Sequence, residues 1–206
     1  MYSIRTLIPV LLLITVTAGA LAMWSDTLKI SATVETGEVD VEFVGTPAVY
    51  EGDEYGKPWV ASCSATLVDV QNEDEGNPTG DNDAELVIHV TNAYPCYYCK
   101  VNNVVVKNTG TIPVKLKIVG VYADSVSCTS YTDPSTGETK YSCDVDGDGK
   151  ADLIVWGCFT TLEGYQLEPG YTKSFTVDLH VEQDAEESSE YVIKIIIKGI
   201  QWNEYS

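Results

Sequence analysis

Apolar and polar residues alternate with a period of two along almost the whole chain, and that alternation leaves few folds open. Leu28, Ile30, Ala32 and Val34 are separated by Lys29, Ser31 and Thr33, and after Gly37 the pattern restarts as Val39, Val41 and Phe43. Successive side chains of a strand point to opposite faces, so this is the signature of half-buried β-strands, and no window carries the three-to-four spacing of an amphipathic helix. The apolar parity flips between the first two runs, which requires a bend, a bulge or a change of sheet at Thr36 and Gly37. The same alternation predicts strands over 85–92, 100–108, 112–122, 153–156, 174–181 and 191–197, with Gly, Pro and Asn between them. Short punctuated strands in 206 residues without a sequence repeat predict an all-β, antiparallel β-sandwich rather than a propeller or solenoid.

Twelve Lys and Arg against 31 Asp and Glu give a net charge of -19. Such a surface repels phosphate backbones and anionic lipid, so the expected partners exclude nucleic acid and include divalent cations or basic surfaces. Residues 1–22 carry one positive charge, an apolar run from Leu7 and the small-residue pair Ala20 and Ala22 that a signal peptidase reads. Cleavage is expected between Ala22 and Met23, so that membrane contact is confined to export and the rest is extracellular.

Six cysteines suit an oxidising compartment: Cys63, Cys96, Cys99, Cys128, Cys143 and Cys158. Cys128 and Cys143 stand at the feet of two matched arms around the turn formers Asp133, Pro134, Ser135, Thr136 and Gly137, which predicts a hairpin closed by a bond between them. Closing a loop of that size adds on the order of 3 kcal/mol. The stretch CYYC has no second CxxC and no nearby His, so Cys96 and Cys99 are expected to be half-cystines reaching different partners, with the pairing of Cys63, Cys96, Cys99 and Cys158 open. The acidic segment 71–85 reads as a solvated loop.

The sharpest chemical motif is DVDGDGKAD. Asp144, Asp146 and Asp148 occupy alternate positions, Gly147 and Gly149 permit a tight path, Lys150 can offer its carbonyl, and Asp152 closes the set. A hard cation such as Ca²⁺ needs six to eight oxygens, and a short turn of this composition can converge them. Val155 stands where a helical calcium loop would place its bidentate glutamate, so an EF-hand is excluded. The stretch 144–157 resembles the calcium loop between strands of FG-GAP-type repeats, here present once. Catalytic motifs are missing: His89 and His180 are isolated on strands, and there is neither an HExxH nor a GxSxG sequence, so no enzyme activity is expected.

Both ends of the chain resemble one family. ALAMWSDTLKISATVETGEVDVEF is similar to the start of exported proteins processed by SipW-type signal peptidases, with Trp24, Ser25 and Asp26 followed by the Gly37 to Val41 step. The run 175–205 and the central stretch YPCYYCKVNNVVVKNTGTIPVKL resemble the TasA and camelysin-like group, which includes biofilm fibre proteins and archaeal bundling pilins. The resemblance implies a jelly-roll sandwich whose exposed N-terminal strand leaves its own domain and completes a neighbouring copy. Residues 23–36 would be that donor strand, with Leu28, Ile30, Ala32 and Val34 entering the neighbour, and 37–206 the sandwich, including a hairpin and calcium-loop insertion over 123–152. The implied product is a homopolymeric cell-surface filament, a pilus or matrix fibre. The alternatives are a monomeric secreted or surface-anchored calcium-binding adhesion module whose first strand pairs within its own sandwich and, less in keeping with the residues, a camelysin-like peptidase.

Overall fold

A computed structural model of the chain describes residues 37–53, 60–69 and 83–205. The cleavage site at Ala22 and Met23, the strand residues Leu28, Ile30, Ala32 and Val34, and most of the acidic segment lie outside the described residues.

Among the described residues thirteen strands and one helical turn follow in order: β1 (Val41–Val44), β2 (Ala48–Asp53), β3 (Ser62–Asp69), β4 (Asp83–Ala93), β5 (Tyr97–Asn108), β6 (Val114–Ala123), β7 (Val126–Ser127), β8 (Thr129–Thr132), β9 (Thr139–Cys143), β10 (Leu153–Gly157), α1 (Phe159–Leu162), β11 (Gln166–Leu167), β12 (Thr172–Val181) and β13 (Ser189–Gln201). All pairings are antiparallel. One sheet of seven strands runs β1-β5-β12-β10-β9-β8, with β2 pairing β5 beyond the end of β1; the other, of six, runs β11-β6-β13-β4-β3, with β7 also on β6. The two sheets make a β-sandwich. Alternate residues of the central strands form one core: Val101, Val104 and Val106 of β5 and Val177, Leu179 and Val181 of β12 join Leu86, Ile88 and Val90 of β4 and Ile193, Ile195 and Ile197 of β13. Each such side chain contributes about 1.5–3 kcal/mol on burial, which is why the period of two decides the fold.

Among the described residues, every strand anticipated from alternation lies within or across an observed one. Four strands, β2, β3 and the two-residue β7 and β11, were not anticipated, and the last residues of the acidic segment, from Asp83, belong to β4. One helical turn, α1, interrupts the strands; it buries Phe159 and Leu162, and Phe159 meets the ring of Tyr141 edge-on at 5.3 Å. The hairpin forms as expected in its pairing, with Thr129 opposite Ser142 and Thr132 opposite Thr139, and Cys128 is bonded to Cys143 across a Cα separation of 4.4 Å. It is not an appendage, because β9 pairs with β10 and the hairpin prolongs the seven-stranded sheet.

The expectation that both cysteines of CYYC reach partners is corrected. Cys99 faces inward from β5 and is bonded to Cys63 of β3, joining the two sheets, whereas Cys96 and Cys158 are free. Cys96 lies in the turn before β5, at φ +69, with its N–H donated to the Val181 carbonyl and its sulfur beside Gln183. Cys158 donates its N–H to Thr176, five residues back along β12, which is roughly 16 Å at strand rise and out of reach of a disulfide.

Tyr97 carries a buried hydroxyl with no hydrogen-bond partner among the described residues. Burial, reinforced by Glu51 and Tyr94, pushes its phenol well above the ordinary tyrosine range. Because an unsatisfied buried hydroxyl costs about 1–3 kcal/mol, Tyr97→Phe is expected to leave urea stability unchanged or raise it by about 1 kcal/mol. A clear loss of stability would show that the hydroxyl has a partner.

Candidate metal centre

The acidic turn is held by the sheet from both sides. Cys143 ends β9 and pairs with Leu153 at the start of β10, so residues 144–152 bridge neighbouring antiparallel strands. The stem is fixed three further times: Asp152 donates its N–H to the Cys143 carbonyl at 2.9 Å, Glu182 donates to the Asp152 carbonyl at 2.7 Å, and Cys143 is tied to Cys128.

Inside the turn the aspartates collect backbone N–H groups. Asp144 accepts from Gly147 at 2.8 Å and from Gly149 at 2.9 Å, Asp146 accepts from Asp148 at 2.9 Å, and Asp148 accepts from Lys150 at 2.8 Å. Gly147 and Gly149 have φ of +80 and +90, a region that side-chain-bearing residues rarely enter, and this lets the backbone fold round its own carboxylates. Asp152 is the anchor. It is buried, and its Oδ2 accepts from the N–H of Val145 at 2.7 Å and of Asp146 at 3.4 Å.

The carboxylates of Asp144, Asp146 and Asp152 converge, each offering an oxygen within 4.8 Å of the others. Asp148 is not part of that trio, although it shares the turn. Lys150 has its N–H on Asp148, while its ammonium is turned away to Asp184 at 2.8 Å. That bond, with the added charge of Asp184 and Asp148, raises the Lys150 pKa. The one basic side chain of the turn is therefore engaged elsewhere, and three carboxylates repel one another at close range. Oxygen donors alone, gathered on a turn pre-formed by N–H bonds, are the chemistry of a hard divalent cation, and Ca²⁺ suits the donor set better than Zn²⁺, which takes nitrogen and sulfur. Asp144, Asp146 and Asp152 would be the side-chain ligands in this arrangement, with Asp148 and the Lys150 carbonyl the remaining oxygens of the expected set.

The part of this centre that sequence inspection missed is Asp184, 34 residues from Lys150, and the Glu182 N–H that clamps Asp152. No local spacing points to either. Of the two histidines, His89 is exposed on β4 and His180 pairs with Glu182 at 2.9 Å.

Calcium is expected to raise the melting temperature of the purified chain and to do so through Asp146. Asp146→Ala should abolish the calcium-dependent rise while leaving the calcium-free protein as stable or slightly more so, since it removes repulsion. Asp152→Ala should destabilise even without calcium, by about 1–3 kcal/mol, because it strands the Val145 N–H. Equal calcium responses of the wild type and Asp146→Ala in calorimetric titration would dismiss the site.

No protein-family model, no curated protein and no solved structure matches this chain.

Proposed function

We propose that the chain is a structural subunit of an extracellular filament, assembled when the N-terminal strand of one copy completes the sandwich of the next and stabilised by disulfides and calcium. What carries this reading is the outer edge of β3. Cys63 donates its N–H away from β4, to Glu51 at 2.6 Å, and in an antiparallel ladder every second residue points the same way. The N–H and carbonyl groups of Ala65 and Leu67 thus face outward, and no described residue pairs with them. Their side chains belong to the inward set, yet both are only half-buried, as are Phe43 and Val49 at the neighbouring edge of the other sheet.

That edge lacks the usual safeguards. Protein edges are blunted by charge, proline or bulges, whereas β3 presents Ser62, Ser64, Thr66 and Val68 between its inward residues. An added strand would gain main-chain hydrogen bonds along β3 and place alternate apolar side chains over Ala65 and Leu67. Leu28, Ile30, Ala32 and Val34 have the period that such a strand requires. The launch point is well fixed: Thr109 and Gly110 donate to the Asp40 carbonyl, Thr111 donates to the Glu38 carbonyl, and Thr109 Oγ1 donates to the Asp40 carboxylate at 2.6 Å. A contact of this kind is heterologous and does not close, so it propagates as a fibre. The two disulfides suit an oxidising environment, and in this reading the jelly-roll connection of the strands and the calcium turn serve mechanical stability.

Deleting residues 25–35 should leave a folded monomer that forms no filaments by negative-stain microscopy, and a peptide of residues 23–36 should bind it. Leu67→Glu should likewise block polymerisation with little effect on folding, since the site is half-exposed. Collapse of the deletion variant would instead assign the strand to its own sandwich.

A further inference from the structure

The seven-stranded sheet turns one face away from the core, and a single transverse row on that face has an unusual composition. Strand register places Tyr50 of β2 opposite Lys100 of β5, Lys100 opposite Asp178 of β12, and Asp178 opposite Trp156 of β10. Asp178 alternates with the inward Val177 and Leu179, so a solvated carboxylate is the expectation; it is instead 7% exposed. Tyr98 donates its hydroxyl to Asp178, and the Lys100 ammonium stands 3.3 Å from the same oxygen. The ring of Tyr98 lies 6.1 Å from that of Trp156 at a tilt of 43°. Burial and the Asp178 bond push the Tyr98 phenol up, so it remains a donor at any ordinary pH.

This row borders a groove of about 450 Å³, inside the range of small-molecule sites, which is lined also by Thr160, Thr161, Thr176 and Glu138. Gly157 also lines it, with φ +148 and a Cβ position only 2.2 Å from the Thr176 carbonyl, so the backbones of β10 and β12 approach too closely there for any side chain.

We propose that this groove binds a neutral pyranose unit of a glycan. Both lysines beside it are paired, Lys100 with Asp178 and Lys140, whose ammonium lies 5.4 Å over the Trp156 ring, with Asp133 at 2.6 Å, which leaves Glu138 as the further carboxylate of the lining. On a chain of net charge -19 that arrangement rewards an uncharged ligand, while a phosphate or uronate would meet Asp178 and Glu138. The free hydrogen-bonding capacity is mixed. Asp178 keeps lone pairs, Lys100 keeps N–H groups, and threonine hydroxyls both donate and accept. Beside these stand the half-exposed rings of Tyr98 and Trp156, which pack against each other and leave apolar ring surface on the side not covered by Lys140. A rigid ring with one C–H face and a rim of hydroxyls matches both halves, and neither an aliphatic chain nor an inorganic ion does. A buried ion pair generally holds a fold no better than apolar side chains of similar size would, so stability alone does not account for the row.

The test is titration of the full purified chain, followed by tryptophan fluorescence and saturation-transfer NMR, with neutral hexasaccharides of glucose, mannose and N-acetylglucosamine beside a galacturonate hexamer, a chitosan hexamer and an aromatic tetrapeptide. At least one neutral sugar should saturate with little dependence on salt. Trp156→Ala and Asp178→Asn should each weaken it about tenfold or more. Trp156→Phe, which keeps a flat ring and protects against simple unfolding, should retain part of the binding. The proposal is overturned if no neutral sugar saturates at millimolar concentration, if binding survives both Trp156→Ala and Asp178→Asn, or if a charged sugar or the peptide takes the groove in preference.

Discussion

The structure depends on two sheets covering each other's apolar face, and β13 is the strand on which that contact turns. It lies between β4 and β6, with Ile193, Ile195 and Ile197 all fully buried. A one-residue slip would send those three to solvent and Lys194, Ile196 and Lys198 inward, so the register is set by burial rather than by the turns that precede it. The ladders absorb two irregularities, one against β4 between Ser189 and Tyr191 and one against β6 between Ile196 and Ile197, the second of which leaves Val119 exposed without disturbing the core residues on either side. Where the central strands stop, the sandwich is held by other means. The Cys63 to Cys99 bond ties β3 to β5 near the edge at which Ala65 and Leu67 are only half-covered.

What could be read from the sequence was whatever a short window encodes. The period of two marks the long strands because each buries one face, the hairpin is announced by its turn formers, and the acidic turn by its spacing. β2 and β3 escaped for a physical reason. AVYEGD and SCSATLVD are short, rich in small or polar residues and at sheet edges, so their conformation follows from the ladder offered by β5 and β4 more than from their own apolar content. Cys96 was misjudged for a related reason. Whether a cysteine finds a partner depends on which face and which end of the sandwich it occupies, and the turn at φ +69 takes Cys96 out of the inward series that Cys99 joins. The aromatic row on the outer face is equally invisible, since Lys100, Asp178 and Trp156 are brought together only by cross-strand register.

The acidic composition acquires two different meanings in the fold. A net negative charge makes copies of the chain repel one another, and the polymer proposed above would have to overcome that through contacts that are not electrostatic, such as main-chain pairing and apolar insertion along a strand edge. In the turn 144–152 the charge is instead concentrated and pre-organised, with backbone N–H groups already spent on holding the carboxylates in place. A cation arriving there has little backbone to rearrange. Its binding free energy would therefore be added almost directly to the stability of the β9 and β10 stem.

Those two strands link the features that otherwise stand apart. β9 carries Cys143 at the mouth of the acidic turn and Lys140 over the indole of Trp156, and β10 carries Leu153 at the other mouth and Trp156 itself. β9 and β8 form the outer end of the seven-stranded sheet, where the core thins and Tyr141 against Phe159 supplies the packing. A staple at the foot of β9 and a cation between β9 and β10 would both suppress fraying of that end. Loss of either would be felt at the groove, because the position of Lys140 over Trp156 follows the pairing of Tyr141 with Val155. The cross-link and the acidic turn thus fix the same two strands that place Trp156 and Lys140 at the end of the aromatic row.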